Sequence, residues 1–392
     1  MSHINGPVYL DYNATTPLAP EVLEAMLPYL REEFGNPSSI HAFGQRAKAA
    51  LYDAREQVAA LIGASPNEIL FTGSGTEADN LAILGVLEAA EGGRRHLITS
   101  AVEHHAVLNT MKALGKKGVA VTFLKVNRAG SVDPEELRAA LTPETLLVSI
   151  MHANNETGVV QPVAELARLS HMAGAYFHTD AVQSIGKIPV NVKDLGVDLL
   201  SLSGHKIYGP KGTGALYVKR AVKIRPVFRG GGQERARRPG TENLPGLVGL
   251  GCAAQLASAH LAEERERVGA LRDRLEKEVL ARIPGSAVNG KGAERTPNTL
   301  NMSFDGVEGE ILLIALDLKG CAVSTGAACS SGTVEPSHVL IAMGLKPEQV
   351  QGSIRVSLGR YTKIEEILHF VHVLASVVES IRSHTHSGAV RN

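Results

Sequence analysis

The residues with the clearest chemical potential lie in one glycine-rich stretch, residues 201–214, between two hydrophobic strands. A lysine held near the core and beside other cations has a lowered pKa, so the amine of Lys206 could act as a nucleophile. That chemistry suits a Schiff base with an aldehyde cofactor such as pyridoxal 5'-phosphate. Ser203 and His205 are placed to contact the phosphate of such a cofactor. A surface turn with solvated lysines explains the composition of this stretch equally well.

A second candidate site lies where the predicted strand at 69–71 ends and a predicted helix begins. Backbone amides and the helix dipole at such a junction bind phosphate, and the hydroxyl of Thr76 beside Gly75 adds a donor. The spacing Gly73-x-Gly75-x-x-Ala78 also matches the dinucleotide fingerprint, so a nicotinamide-binding protein is an alternative. That fingerprint requires an acidic residue after the next strand. Glu103 lies near there, but its Glu-His-His context indicates a different use.

Three further polar loops follow predicted strands. His104 and His105 diverge as neighbours in sequence, so chelation of a metal by the pair is awkward. An imidazole stacked on a cofactor ring and able to move protons is the more specific interpretation, and an ordinary surface histidine stays an alternative. Asn155 is a neutral group suited to a carboxylate or to a cofactor's phenolic oxygen. Asp180 could pair with a protonated pyridine nitrogen and keep the ring an electron sink, or could cap the following helix. Gln183 is placed to face the same ligand.

The arrangement of apolar runs predicts the fold that brings these loops together. The runs lie at 69–71, 96–99, 119–126, 145–150, 175–178, 198–203 and 215–218, mostly separated by helical or loop segments. This alternation predicts an α/β fold with a mainly parallel sheet covered by helices. The polar loops would then meet at one edge of that sheet. A long helix over about 247–280 precedes a smaller α+β C-terminal domain. We predict a large domain of residues 16–258 and a small domain of residues 1–15 plus 259–392.

Composition narrows the class of protein. The chain has 392 residues, with 40 Lys+Arg against 40 Asp+Glu, so it carries no broad basic field for nucleic acid. We expect no signal peptide and no membrane partner, because no apolar run approaches the ~20 residues of a membrane span. Three scattered cysteines, Cys252, Cys321 and Cys329, indicate a reducing cytoplasm, and the absence of CxxC makes a protein-only zinc site unexpected. Cys252 and Cys321 lie in apolar settings and are expected in the core.

Longer motifs connect these pieces. They are Asn-Asn-Glu-Thr-Gly at 154–158, His-Thr-Asp-Ala-Val-Gln at 178–183, Ser-Gly-His-Lys-Ile-Tyr-Gly-Pro-Lys-Gly at 203–212, Arg-Pro-Gly-Thr-Glu-Asn at 238–243 and Ser-Thr-Gly-Ala-Ala-Cys-Ser-Ser at 324–331. In these motifs, and from residue 9 to about 381, the chain resembles the cysteine desulfurases of the NifS/IscS type. That family belongs to the pyridoxal-phosphate-dependent enzymes of fold type I and to the class-V aminotransferases.

The resemblance implies roles for the cofactor site. Lys206 would be the Schiff-base lysine, and Asp180 the partner of the pyridine nitrogen. Gln183 would lie near the phenolic oxygen, and His104 would stack on the ring. The remaining cofactor contacts implied are those of Gly75, Thr76, Asn155, Ser203 and His205, with Thr241 reaching the phosphate of the neighbouring subunit in a homodimer.

The resemblance also implies the reaction. Asn155 and Arg355 would bind the substrate carboxylate, and Cys329 would take sulfur from L-cysteine as a persulfide, releasing L-alanine. An iron–sulfur scaffold protein or a tRNA-thiolation protein would accept the sulfur. Whether selenocysteine is also used, and whether Cys329 ever ligates an iron–sulfur cluster, stays open. The chain departs from the family in Ala327-Ala328 before the cysteine and in Thr-Gly-Ser-Gly-Thr at 72–76, and both changes keep small residues.

Two other classes compete with this interpretation. One is another fold type I pyridoxal-phosphate enzyme, such as a selenocysteine lyase or an aminotransferase, and an aminotransferase has no need of Cys329. The other is a non-catalytic sulfur carrier or a nicotinamide-binding protein.

Overall fold

A computed structural model describes residues 6–91, 93–325 and 335–389 of the protein, with side chains described up to residue 384. The strands are β1 Val8–Tyr9, β2 Ile69–Thr72, β3 His96–Ser100, β4 Val121–Leu124, β5 Thr145–Ser149, β6 Tyr176–Asp180, β7 Leu199–Ser203, β8 Gly214–Val218, β9 Ser286–Asn289, β10 Thr299–Phe304, β11 Cys321–Ala322 and β12 Ser353–Ser357. The helices are α1 Pro20–Arg31, α2 Ala42–Leu61, α3 Gly75–Ala89, α4 His105–Lys116, α5 Pro134–Ala140, α6 Val163–Met172, α7 Val192–Leu195, α8 Gln233–Ala236, α9 Leu244–Arg282, α10 Gly309–Leu318, α11 His338–Ala342, α12 Pro347–Gln351 and α13 Ile364–Ala389. Short 3-10 turns lie at Pro66–Glu68 and Gly204–Lys206.

A seven-stranded sheet forms the centre of the molecule, in the order β2-β8-β7-β6-β5-β3-β4. Parallel pairing joins β4, β3, β5, β6 and β7. Because β8 pairs antiparallel with both β7 and β2, every strand except β8 runs in the same direction. Each apolar run predicted from the sequence in this region forms one of these strands, and the predicted α/β fold is confirmed.

Both faces of the sheet are covered, because successive side chains of a strand point to opposite faces. In β3, Leu97 belongs to the hydrophobic core that includes α3 and α4, and the next residue, Ile98, belongs to the core that includes α2, α6 and α9. Both side chains are fully buried. This two-sided burial explains why the strands appear in the sequence as continuous apolar runs rather than as alternating patterns.

A separate hydrophobic core lies in the C-terminal part of the chain. It joins residues of α9, β10, α10, β12 and α13 with Val8 and Leu10 from the start of the chain. β1 pairs parallel with β11, which sets Val8 opposite Cys321. The first residues of the chain thus pack with the C-terminal part, as the predicted small domain of residues 1–15 plus 259–392 requires. The boundaries of the two domains stay a prediction. β9 was not predicted, because only its last residue is buried and its four residues carry no clear pattern.

The helix α9 is long and apolar enough, by length and composition alone, to cross a membrane. No apolar stretch of this length was expected from the sequence. Half of its most apolar window is buried in the protein, where it packs against α1, α2 and α13. A buried core helix passes the same test, so α9 is weak support for a membrane span.

Candidate active site

A cavity of about 470 Å³ opens at the edge of the sheet where the parallel strands end. Its lining includes the predicted site residues Gly75, Thr76, His104, Asn155, Asp180, Gln183, Ser203, His205, Lys206 and Arg355. The fold brings them together because each loop follows a strand of the same direction, while Arg355 comes from β12 in the C-terminal part of the chain. The cavity therefore lies between the central sheet and the C-terminal core.

Lys206 lies at the end of the 3-10 turn that follows β7. Its Nζ donates hydrogen bonds to the backbone carbonyls of Asn13, at 2.5 Å, and Ala14, at 2.8 Å. Burial, and then the Arg355 guanidinium, lower the pKa of Lys206 to about 8. The carboxylate of Asp180 opposes this shift. An amine with this pKa is partly deprotonated near neutral pH, which is the state that a nucleophile or general base requires.

Asp180 occupies the last position of β6, and its side chain is almost completely buried. Its Oδ1 accepts a hydrogen bond from the Val182 backbone N–H at 2.9 Å, so the predicted capping role and a cavity role occur in the same residue. Burial raises the pKa of Asp180 to about 6, and Lys206 opposes the shift. A second carboxyl, that of Asp79, lines the same cavity with a buried Oδ1 that has no hydrogen-bond partner among the described residues. Burial and the charge of Asp180 raise the pKa of Asp79 well above its ordinary value, so the pair carries its negative charge on Asp180.

His104 is the N-cap of α4, and its Nδ1 accepts from the Ala106 backbone N–H at 3.2 Å. That contact assigns the ring proton to Nε2 in the neutral form. Burial, together with the neighbouring Lys206, lowers the pKa of His104 to about 4. His104 is therefore a neutral ring at neutral pH. Beneath it, Glu103 is fully buried and accepts hydrogen bonds from Ser100 Oγ and the Met151 backbone N–H, which is a structural use rather than the ribose contact of a dinucleotide site.

The start of α3 presents backbone amides to the cavity. Ser74 is its N-cap and accepts from the Glu77 backbone N–H at 3.0 Å. A Cβ at Gly75 would lie 2.7 Å from Cγ2 of Val182, so only glycine fits this close approach. The Glu77 carboxylate is held by Arg238, Nε to Oε1 at 2.7 Å. The helix N-terminus thus offers its positive end to an anion in the cavity.

Arg355 is 5% exposed and is anchored at both of its terminal nitrogens. Nη2 donates to Asp11 Oδ1 at 2.7 Å, and Nη1 donates to the Asn155 backbone carbonyl at 3.0 Å. Its buried Nε has no hydrogen-bond partner among the described residues. Asn13 completes the group, because its Nδ2 also donates to the Asn155 carbonyl at 3.1 Å. The arrangement holds a fixed positive charge at the cavity wall.

Among the described residues, the predicted Thr241 is exposed and lies outside the cavity lining. Cys329 lies outside the residues that the structure describes. The chain leading to it is anchored, because Ser324 exchanges backbone hydrogen bonds with Arg355 at 3.1 and 2.6 Å. The Cys321 side chain is buried as expected, whereas Cys252 is only partly buried.

Asp11, Asn13 and Asp79 are site residues that were not predicted from the sequence. Asn13 lines the cavity and Asp11 holds Arg355, and both make their contacts with residues far away in sequence, which no local pattern reveals. Asp79 could have been found from its neighbours, because it lies between the apolar residues Ala78 and Leu81 of α3, and a carboxylate buried there needs a special environment.

The donor set fits pyridoxal 5'-phosphate. The cavity offers an amine of lowered pKa for the aldehyde, a buried carboxylate for the ring nitrogen, a neutral aromatic ring, and a helix N-terminus for the phosphate. Its volume lies within the roughly 300–1,000 Å³ that small ligands occupy. Among the described residues, no group of three or more histidine, cysteine, aspartate or glutamate side chains could hold a metal ion.

Comparison with known proteins identifies the family. The model of the class-V aminotransferases matches residues 8–370. A cysteine desulfurase IscS of Dictyoglomus turgidum is 52% identical over 376 residues, covering 96% of this chain and 95% of that protein. Its counterpart in Methanosarcina thermophila is 50% identical over 379 residues, covering 97% of this chain and 94% of the relative. A solved structure of a NifS-like protein superimposes with a TM-score of 0.89 at 40% identity, covering 95% of this chain and 99% of that chain.

The chain therefore belongs to the class-V aminotransferase family, whose enzymes use pyridoxal 5'-phosphate, and this is its cofactor. Within that family it groups with the cysteine desulfurases of the NifS/IscS type.

Proposed function

We propose that this protein is a cysteine desulfurase, a sulfurtransferase that converts L-cysteine to L-alanine and retains the sulfur as a persulfide on Cys329. The observation that carries the proposal is the shared cavity of Lys206, Asp180 and Arg355 in a chain of this family. An amine, a carboxylate and a guanidinium at one wall suit an amino-acid substrate and an electron-withdrawing cofactor.

Lys206 would hold the cofactor covalently, Asp180 would pair with its ring nitrogen, and Gln183 would lie near its phenolic oxygen. Gly75, Thr76, Ser203 and His205 are placed to bind its phosphate, and Thr241 of a second subunit would complete that contact. When bound, the cofactor supplies an electron sink for the pair released at the substrate α-carbon. The neutral ring of His104 suits stacking, because a cationic ring would repel the charge of the adjacent Lys206.

Arg355 and Asn155 would bind the substrate carboxylate. The guanidinium is held by Asp11 before the substrate arrives, so little conformational freedom is lost on binding. A charge-assisted contact of this kind selects for an α-carboxylate and fixes its orientation.

Lys206 is the base that would remove the substrate α-proton at Nζ. Its pKa of about 8 leaves a fraction of the amine unprotonated near neutral pH, and burial keeps that fraction available. The Asn13 and Ala14 carbonyls that accept from Nζ fix the direction from which the amine approaches.

The Cys329 thiolate would attack the substrate sulfur. A sulfur–sulfur bond forms as the carbon–sulfur bond of the substrate breaks, so that L-cysteine and the thiol become L-alanine and a persulfide. The backbone pairing of Ser324 with Arg355 supports this role, because it starts the Cys329 segment beside the substrate-binding guanidinium.

The remaining proposals concern the assembly. The protein would act as a homodimer in the cytoplasm and deliver sulfur to an acceptor protein such as an iron–sulfur scaffold. The exposed position of Thr241 supports a contact across subunits. So does the segment before it, where Glu234, Arg235 and Ala236 adopt left-handed backbone angles, since strained backbone is concentrated at functional sites.

The activity is tested by incubating the full-length protein, loaded with pyridoxal 5'-phosphate, with L-cysteine and a reductant, and by assaying sulfide and alanine together. We expect equal amounts of the two products. A keto-acid product formed without alanine or sulfide, with a normal cofactor spectrum, would favour an aminotransferase and contradict the proposal.

A further inference from the structure

Lys187 is a partly buried lysine that the proposed reaction does not use. Its Nζ donates to Asn13 Oδ1 at 3.1 Å and to the side-chain carbonyl of Gln183. Burial, and then the charges of Lys206 and Arg355, lower the pKa of Lys187 well below its ordinary value. Within the described residues it forms no ion pair. Taking a lysine amine partly out of water without a carboxylate partner is costly, so its contacts require an explanation.

The spacing of Lys187 and Gln183 follows from the local backbone. The segment after β6 turns helically, with the Ser184 and Ile185 backbone N–H groups both donating to the Ala181 carbonyl. Side chains four residues apart on such a turn lie on the same face. Gln183 lines the large cavity, whereas Lys187 lines a smaller neighbouring cavity together with Tyr12 and Lys206.

The chemistry of lysine determines which way the Gln183 amide points. A carboxamide has a carbonyl oxygen on one side and an NH₂ group on the other, and the two orientations are nearly equal in shape. The N–H groups of Lys187 donate hydrogen bonds and need an acceptor. The carbonyl oxygen of Gln183 therefore faces Lys187. The NH₂ group then points away from Lys187, and one of its hydrogens reaches the Asn13 backbone carbonyl at 3.0 Å.

The constraint is strict for the ammonium form of Lys187, which has no acceptor. A neutral amine also carries a lone pair, and in that state the Asn13 backbone carbonyl, which accepts from Gln183 Nε2, keeps the amide in the same orientation. An ammonium has three N–H groups and a neutral amine has two, and the contacts to Asn13 and Gln183 use two. The second hydrogen of the Gln183 amide stays available to a ligand in the cavity. Asn13 is fixed from the other side as well, because Asn298 Nδ2 donates to the same Oδ1 at 2.9 Å.

We propose that Lys187 is a positioning residue that fixes the Gln183 amide with its N–H donors toward the cavity and its carbonyl away from it. Gln183 thereby offers a donor, and never an acceptor, to an anionic oxygen of the cofactor. The inference rests on the proposed role of Gln183 beside the cofactor's phenolic oxygen. A phenolate accepts hydrogen bonds, so a flipped amide would set two acceptors against each other.

A double-mutant cycle tests the inference through cofactor binding. Lys187→Met keeps the length of the side chain and removes its donors, and Gln183→Leu removes the amide. Pyridoxal 5'-phosphate is titrated into each full-length protein after removal of bound cofactor. Lys187→Met should raise the dissociation constant about tenfold, which corresponds to one hydrogen bond. In the Gln183→Leu background the same substitution should change it less than about twofold.

Matched variants separate positioning from a loss of structure. Lys193→Met removes an exposed lysine from the following short helix and should leave the dissociation constant unchanged. The pH midpoint of the bound cofactor's visible absorbance should shift in the same direction in Lys187→Met and Gln183→Leu. Lys187→Gln, which keeps N–H donors, should recover part of the affinity even if Lys187→Met folds poorly.

The inference is overturned if Lys187→Met and Gln183→Leu weaken cofactor binding independently of each other, or if the pH midpoint of the absorbance does not move in Lys187→Met. Either result would leave the proposed function standing. Wild-type protein that binds no pyridoxal 5'-phosphate would overturn the proposed function together with this inference.

Discussion

Lys206 and Lys211 lie in the same turn, yet the protein gives them different environments. Lys206 lines the cavity and its pKa is lowered to about 8, whereas Lys211 is exposed and does not line it. We expect Lys206→Ala to lose the visible absorbance that reports covalent attachment of the cofactor, and Lys211→Ala to keep it. Absorbance that survives in Lys206→Ala and disappears in Lys211→Ala would show that the anchor has been misassigned.

Asp180 offers a substitution that separates charge from structure. Asp180→Asn keeps an oxygen that can accept from the Val182 backbone N–H, so the turn after β6 should stay folded. The negative charge beside the cofactor ring is lost, and each ~1.4 kcal/mol of lost transition-state stabilisation is tenfold in rate. We expect turnover to fall by about a hundredfold or more with unchanged thermal stability of the cofactor-free protein. Wild-type rates of sulfide release in this variant would remove Asp180 from the reaction.

At the scale of elements, the loop between β3 and α4 depends on a buried carboxyl. Burial raises the pKa of Glu103 to about 8, against 4.5 for an ordinary glutamate. The folded protein therefore binds this proton more tightly than the unfolded chain does. The stability that it contributes is fully present below pH 4.5 and is lost as the pH rises through about 8.

Glu103→Gln should remove this pH dependence. The amide keeps a carbonyl oxygen for the Met151 backbone N–H and has no proton to lose. Relative to wild type, the variant should therefore gain stability as the pH rises from 5 to 8, by up to about 1.4 kcal/mol per pH unit. Thermal unfolding of cofactor-free protein at a series of pH values measures the difference, with exposed Glu88→Gln as the control. A difference between Glu103→Gln and wild type that is constant with pH would contradict the assignment.

The sequence predicts the strands and the loops that follow them well, because burial on both faces leaves continuous apolar runs. His104 and Asp180 were found for that reason, since each follows such a run. Asp11 and Lys187 were not given roles, because their significance comes from Arg355 and Gln183, which only the folded chain places beside them. The strand β9 was missed for the same reason, because it is defined by its pairing with β10 and not by an apolar pattern of its own.

At the scale of the whole molecule, the cavity needs both cores. Arg355 comes from the C-terminal core, and Lys206 from the central sheet. Thr241 is exposed in this chain, so its predicted contact with the cofactor requires a second copy. The chain should therefore be a homodimer whose sites are completed across the interface.

Complementation tests this assembly. Lys206→Ala and Thr241→Arg should each be inactive, since each damages every site of its own homodimer. Mixed dimers should recover part of the activity, because one of the two sites then contains neither substitution. Failure to recover activity, despite demonstrated exchange of subunits, would mean that each site is built within one chain.

The central claim is that sulfur from L-cysteine is carried on Cys329. After one turnover of the loaded enzyme without an acceptor or reductant, peptide mass spectrometry locates any added sulfur. We predict one additional sulfur atom on Cys329 and none on Cys252 or on Cys321, whose thiol is buried and whose pKa is raised to about 11. Cys329→Ser should release no sulfide while it keeps the cofactor absorbance. Added sulfur on Cys321 instead, or sulfide release by Cys329→Ser at the wild-type rate, would contradict the account.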